Sequence, residues 1–260
     1  MEVDSATVVH AYGVVVGGTS LPLPDTGIGG SGVALLDAGP VAAVFSRLPG
    51  TDYGEAAWRE HAEDPSWLAD VALEHQKVLG ELIESTDVLP MRLPAMYRDE
   101  MQLHELLTHE ASLFRAALDS VHDHVEWSVQ LFLASEPEPV AEKPMSGREY
   151  ILQKSDAARQ RQDGRERRQR VVREAYASLV DVSRQSAANP PHDPALTGRS
   201  EVMLLNSAHL VSRRHERLFF DVIDETVERV SPHGITVEVR GPWPPYNFVE
   251  LGVDPRETPT

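Results

Sequence analysis

The 260-residue chain contains no cysteine, which excludes disulfides, thiol nucleophiles and thiolate metal sites. It also lacks any apolar run near the roughly 18 residues that a membrane helix needs. The longest, such as Ala6–Val16, is broken by His10 and Gly13 and has no Lys or Arg before it, so it reads as neither a signal peptide nor a membrane span. The cytoplasm is the expected address. Basic charge is missing from the front half: residues 1–137 carry 22 acidic and 6 basic side chains, whereas residues 138–260 carry 19 and 18. Such acidity repels phosphate backbones and anionic bilayers, so neither nucleic acid nor a membrane is an expected partner, and it also favours solubility. What is present is ordinary for a folded protein, with 41% apolar and 25% charged residues. The length suits one large or two modest domains.

The period of the apolar residues changes along the chain. Thr7–Val16 is rich in β-branched residues and reads as a strand. Gly17–Gly32 holds six glycines with Pro22 and Pro24 and reads as a loop. Val33–Leu36 and Val41–Phe45 form a hairpin around Asp37-Ala38-Gly39-Pro40. Helical spacing follows over Glu55–His61 and Ser66–Ser85, the second with Ser66 as its expected cap. Val88–Pro94 is extended, because each proline disfavours helix in the residue before it. Asp99–Leu118 predicts one further helix, and Val125–Leu133 alternates as a half-buried strand. Ser135–Pro144, with three prolines, is the expected linker. Beyond it, Gly147 to about Arg184 predicts a long exposed helix interrupted at Asp163-Gly164. Val202–Val211 reads as a strand, His215–Val230 as an amphipathic helix and Ile235–Val239 as a strand. Mixed elements without regular βαβ alternation predict an α+β protein of two domains, 1–137 and 145–253, the second carrying the long Arg-rich helix.

Four segments could carry chemistry or recognition. Gly27-Ile28-Gly29-Gly30-Ser31-Gly32 resembles a phosphate loop, but such a loop must open a helix, and Val33-Ala34-Leu35-Leu36 reads as a strand; a strand connection is the other reading. His122, His124 and Glu126 share one face if extended and could hold zinc for a metal-assisted reaction, or simply face water. Lys154–Arg173 holds 8 basic residues against 3 acidic ones. It is either a solvated helix face or a docking surface for an acidic partner or for the chain's own acidic front half, with Arg159, Arg165 and Arg168 foremost. Without interleaved aromatics it is no RNA platform. Gly241-Pro-Trp-Pro-Pro-Tyr-Asn-Phe-Val249 combines stiffening prolines with the large apolar areas of Trp243, Tyr246 and Phe248. Exposed it would be a recognition site; packed inward, a clamp at the end of a sheet. No motif selects a nucleophile or an acid–base pair.

The same C-terminal segment resembles the closing signature of the gas vesicle GvpF/GvpL family. Other segments agree in order: Tyr12-Gly13-Val14-Val15, Val41–Ser46, His75–Leu79, Val88–Arg92, Ser146–Leu152 and Leu205–Val211. One departure is Leu93-Pro94, where members continue with Phe-Gly. The resemblance implies an accessory protein of gas vesicle assembly with two α+β domains, one a modified ferredoxin-like fold. It implies binding of the hydrophobic shell protein GvpA and of other accessory proteins, a role in nucleating or chaperoning the shell, and presence as a minor vesicle component. It carries no cofactor, no small-molecule substrate and no catalytic residue. A ferredoxin-like ligand-sensing module is the further alternative.

Overall fold

The computed structural model describes residues 7–134, 147–191, 199 and 201–249, with the side chains of the long helix described from Lys154 onward. The chain divides into two compact units, one of residues 1–126 and 242–260, the other of residues 127–241. The division sends the C-terminal signature to the first unit. The proline-rich stretch Ser135–Pro144, on which the expected boundary rested, lies outside the described residues.

The first unit is built on β1 (Thr7–Val16), β2 (Val33–Asp37), β3 (Val41–Pro49), β4 (Leu89–Pro90) and β5 (Met96–Tyr97), in the order β2-β3-β1-β4 with β5 also on β1. All the pairs are antiparallel. The register of β1 against β3 slips between Ala11 and Gly13, leaving Tyr12 at a bulge. Gly13 is required there, because a Cβ would meet the Val88 side chain at 2.6 Å and the Leu89 carbonyl at 2.8 Å. Glycine thus lets β4 close on the central strand. Five helices follow: α1 (Gly50–Tyr53), α2 (Glu55–His61), α3 (Pro65–Leu82), α4 (Glu100–His109) and α5 (Ala111–Val121). Helix α3 buries Val71, His75, Val78, Leu79 and Leu82 against Tyr12, Val15, Ala42, Val44 and Leu48. Each large apolar side chain so buried contributes about 1.5–3 kcal/mol. Leu103, Leu107, Phe114, Leu118 and Val121 are the buried stripe of α4 and α5.

Two boundaries differ from the sequence expectation. Asp64, not Ser66, caps α3, its carboxylate accepting from the Ser66 and Trp67 amides with Pro65 in the first turn. Proline has no amide to offer, so the cap sits one residue before it. The helix expected over Asp99–Leu118 is split at Glu110, whose φ of −97° and ψ of 13° leave the helical region. The apolar stripe continues across the break at spacings of three, four and seven, which is why periodicity alone did not show it.

The second unit runs β6 (His124–Leu133), α6 (Gly147–Asp181), β7 (Gln185–Ala188), β8 (Val202–Ser212), α7 (Glu216–Val230) and β9 (Ile235–Trp243). The sheet order is β7-β8-β6-β9. This is the β-α-β-β-α-β sequence of a ferredoxin-like fold. Phe219, Ile223, Thr226 and Val230 face inward from α7, and Ala175 and Leu179 from α6. Helix α6 does not break at Asp163-Gly164; one glycine costs a helix only about 1 kcal/mol. At 35 residues it is about 52 Å long, and from Lys154 to Arg170 none of its side chains is buried.

Candidate functional site

Two segments singled out in the sequence meet in the first unit. The bulge at Tyr12 leaves its carbonyl free to accept the Met91 amide at 2.8 Å, and the Met91 carbonyl lies 3.0 Å from His75 Nε2. Met91 is held from both sides, so the next side chain, Arg92, is delivered to the surface at a fixed place. Its Nη2 donates to the Tyr246 carbonyl at 3.0 Å. The Tyr246 hydroxyl donates to Gln76 Oε1 at 3.1 Å while its ring packs on the core cluster of α3. Burial pushes that phenol well above its ordinary pKa. Pro244 and Pro245 are buried, and Trp243 and Phe248 are half-buried.

Asn247 completes the attachment. Its amide donates to Glu126 Oε2 at 2.8 Å and its Nδ2 to Oε1 at 2.6 Å. Glu126 is only 2% exposed, and burial raises its pKa, against the pull of the two Asn247 bonds and of Arg92. The segment therefore forms a strap fastened at Gln76, Arg92 and Glu126. Between the strap and α3 lies a cleft of about 310 Å³ lined by Ala72, His75, Gln76, Arg92, Leu93, Tyr246 and Asn247.

Beneath the cleft sits a buried histidine pair. A carbonyl only accepts, so His75 Nε2 carries the proton given to Met91, and His75 Nδ1 accepts from His10 Nε2 at 2.9 Å. His10 Nδ1 is then left facing Met96 Sδ at 3.3 Å. Burial, reinforced by the neighbouring His75, holds His10 well below the usual histidine range, and burial lowers His75 to about 4. Both are neutral at physiological pH.

The other candidates fall elsewhere. His122 Nδ1 is paired with Asp87 Oδ2 at 2.6 Å, His124 Nδ1 turns back to the His122 carbonyl, and Glu126 is taken by Asn247. The three do not converge, and among the described residues no group of three His, Asp or Glu side chains is placed to hold a metal ion. In the glycine loop, the Ile28 amide donates to the Tyr12 hydroxyl and the Gly29 amide to Glu74 Oε2. Amides that would cradle an anion are spent on protein acceptors, one of them a carboxylate. The loop is a connection whose glycines answer to geometry: a Cβ on Gly27 would lie 2.0 Å from the Tyr12 hydroxyl. Arg159 and Arg165 are exposed and Arg168 half-buried on the front half of α6.

Sequence reasoning missed Gln76, the buried place of Glu126 and the pairing of His10 with His75. The signal for His75 was present, since it sits on the apolar stripe of α3 between Val71 and Val78. For Glu126 there was none, because it occupies a polar position of an alternating strand.

Compared with known proteins, residues 8–250 match the family described as "Gas vesicle synthesis protein GvpL/GvpF". The chain is similar to gas vesicle protein L of Streptomyces sp. (strain CB03234), with 33% identity over 89% of this chain and 88% of the relative. To gas vesicle protein F of the same organism the identity is 25%, over 93% and 99%. The fold matches the crystal structure of GvpF from Anabaena sp. PCC7120 with a TM-score of 0.66 at 15% identity, over 94% of this chain and 96% of that one.

Proposed function

The chain belongs to the gas vesicle GvpL/GvpF family, and from that premise we propose that it is an accessory protein of gas vesicle assembly, acting by binding rather than by catalysis. Its partner on this reading is the small hydrophobic shell protein GvpA, which it helps to nucleate or chaperone in the cytoplasm with other accessory proteins, remaining as a minor vesicle component. The observation that carries the reading is the family match over nearly the whole chain. The charge supports it. A subunit that exposes apolar surface before assembly needs a soluble escort, and an acidic protein stays dispersed while bound to it. We further take Arg159, Arg165 and Arg168, on the part of α6 with no buried side chain, as the contact for an acidic surface of a partner. Trp243, Tyr246 and Phe248, each half-buried in the strap, supply apolar contact.

The test is co-expression with GvpA and affinity capture of this chain from the soluble fraction. GvpA that stays soluble and co-purifies in a defined ratio supports the reading; GvpA that precipitates while this chain remains unbound sinks direct shell binding. Reversing Arg159, Arg165 and Arg168 to Glu should weaken capture, and so should raised salt, since exposed charges are screened within about 10 Å at 0.1 M. Trp243→Ala separates the two roles of the strap. Lower thermal stability with intact capture makes Trp243 a clamp and not a contact.

A further inference from the structure

The cleft beneath the C-terminal strap has the donors of an anion site. Arginine has five N–H groups in a rigid fork, and among the described residues Arg92 donates one, to the Tyr246 carbonyl. Gln76 lines the cleft and uses its carbonyl oxygen on the Tyr246 hydroxyl, which leaves the two N–H groups of its amide as donors. Of the acceptors nearby, Glu126 holds two N–H groups of Asn247 and is the carboxylate on which the charge of Arg92 acts, and the Met91 carbonyl faces His75. Ala72, Leu93 and the ring of Tyr246 are the apolar walls. A volume of about 310 Å³ falls at the lower end of the roughly 300–1,000 Å³ of small-ligand clefts.

The setting makes the cation notable. The unit that holds Arg92 has 24 acidic and 7 basic residues, so a diffuse anion is repelled on approach and only a ligand that engages the fork directly gains. The guanidinium fork matches a carboxylate, which it can bind through two parallel N–H bonds. We propose that this cleft binds a carboxylate attached to a short apolar group, with Arg92 as the principal donor and Gln76 as the second. The carboxylate chemistry is shared by a free branched-chain acid and by the C-terminal end of a polypeptide. Tyr246 and Gln76 are joined to each other, so an occupant of the cleft bears on the fastening of the strap itself. The inference concerns this cleft alone and stands whether or not the chain binds GvpA.

The experiment is titration of the full chain, followed by NMR or calorimetry, with three probes: isovalerate, acetyl-Ala-Ala-Leu with a free carboxylate, and the same tripeptide amidated. Saturable binding of an acid with loss of at least roughly ten-fold in affinity for the amide is expected, the size of a charge-assisted pair. Tighter binding of isovalerate assigns the site to a free acid; tighter binding of the tripeptide assigns it to a chain end. Arg92→Gln should weaken the acid by a similar factor. Because that change also frees Tyr246, Ala72→Trp is the second variant. Ala72 is exposed on α3, so the new ring fills the cleft, and binding should vanish with the melting temperature unchanged. Equal binding of acid and amide, no saturation by either acid below about 10 mM, or unchanged affinity in Ala72→Trp overturns the proposal.

Discussion

The two units solve the problem of buried polarity differently. In the first, polar side chains inside the core reach across the chain to irregular segments. The Ile28 amide donates to Tyr12, Tyr12 to Ser46, and Ser46 to the Gly32 carbonyl, while His10 and His75 end on Met91. In the second, buried polarity joins neighbouring strands. Ser207 donates to the Val129 carbonyl, so His209 Nε2 donates to Ser207, and His209 Nδ1 accepts from Ser186 at 2.9 Å. Charge divides the same way, with 24 acidic against 7 basic residues in the first unit and 17 against 17 in the second. The first unit spends polar groups on holding loops in place, and a strap and a cleft are built from those loops. The second needs them only to align its sheet, and its helices do the rest by apolar packing.

Acid should separate the units most strongly. Burial lowers His75 and His209 to about 4 and holds His10 well below 6.5. Above pH 6.5 these groups are neutral in both folded and unfolded chains and cost nothing. Below it the unfolded chain takes up protons that the fold refuses, so stability falls as pH drops below about 6.5, for His75 and His209 down to about 4. For His75 and His209 the loss is on the order of 3 kcal/mol each at most. The first unit has two such groups and the second one. Glu126 runs the other way, since its raised pKa makes its burial less costly in acid. Denaturant unfolding between pH 7 and pH 4, read on signals from each unit, should show the larger loss in the first. His75→Gln should flatten its profile more than His209→Gln flattens that of the second; equal profiles would remove the contrast.

Glycine substitutions break the contrast in a second way. At Gly27 the added methyl would sit 2.0 Å from the Tyr12 hydroxyl and 2.8 Å from Ser46 Oγ, inside the network that positions the loop. Gly27→Ala should therefore cost about 3 kcal/mol, the range for overpacking a filled site. Gly234 has φ of 71° but nothing within 4 Å of a Cβ. Gly234→Ala meets only backbone strain and should cost about 1 kcal/mol. Thermal melts of the two variants measure the difference.

That asymmetry also governs what could be read beforehand. Helices α3 and α7 and strands β6 and β9 follow their apolar period, because one face of each is buried in the ordinary way, while β1, buried on both faces, shows in its run of β-branched residues. The ferredoxin-like unit was accordingly legible as an α+β half with a long helix. The first unit's site was legible only in pieces. Pro90-Met91-Arg92 and the Trp243–Phe248 segment stand out in sequence, but Arg92 meets Tyr246 across 154 residues and Glu126 meets Asn247 across 121. No local pattern encodes such a meeting. Glu126 was even placed with His122 and His124 as a candidate ligand, because strand alternation puts them on one face. The Asn247 amides take its carboxylate elsewhere.

The smallest effects test whether either core has polarity to spare. The hydroxyls of Tyr97 in the first unit and Thr226 in the second are buried without a hydrogen-bond partner among the described residues. Tyr97 lies at β5, and burial alone pushes its phenol far above the usual value. A buried hydroxyl without a partner costs about 1–3 kcal/mol relative to one in water. Removing it while keeping the shape should return part of that cost. Tyr97→Phe and Thr226→Val are the shape-conserving changes, each expected to raise stability by about 1 kcal/mol. If Tyr97→Phe instead destabilises, its hydroxyl serves a partner in solution, and the loops of the first unit draw on yet another polar contact. If Thr226→Val alone stabilises, the unit that relies on apolar packing is the one carrying an unused polar group, because the helix face that buries Thr226 is otherwise Phe219, Ile223 and Val230.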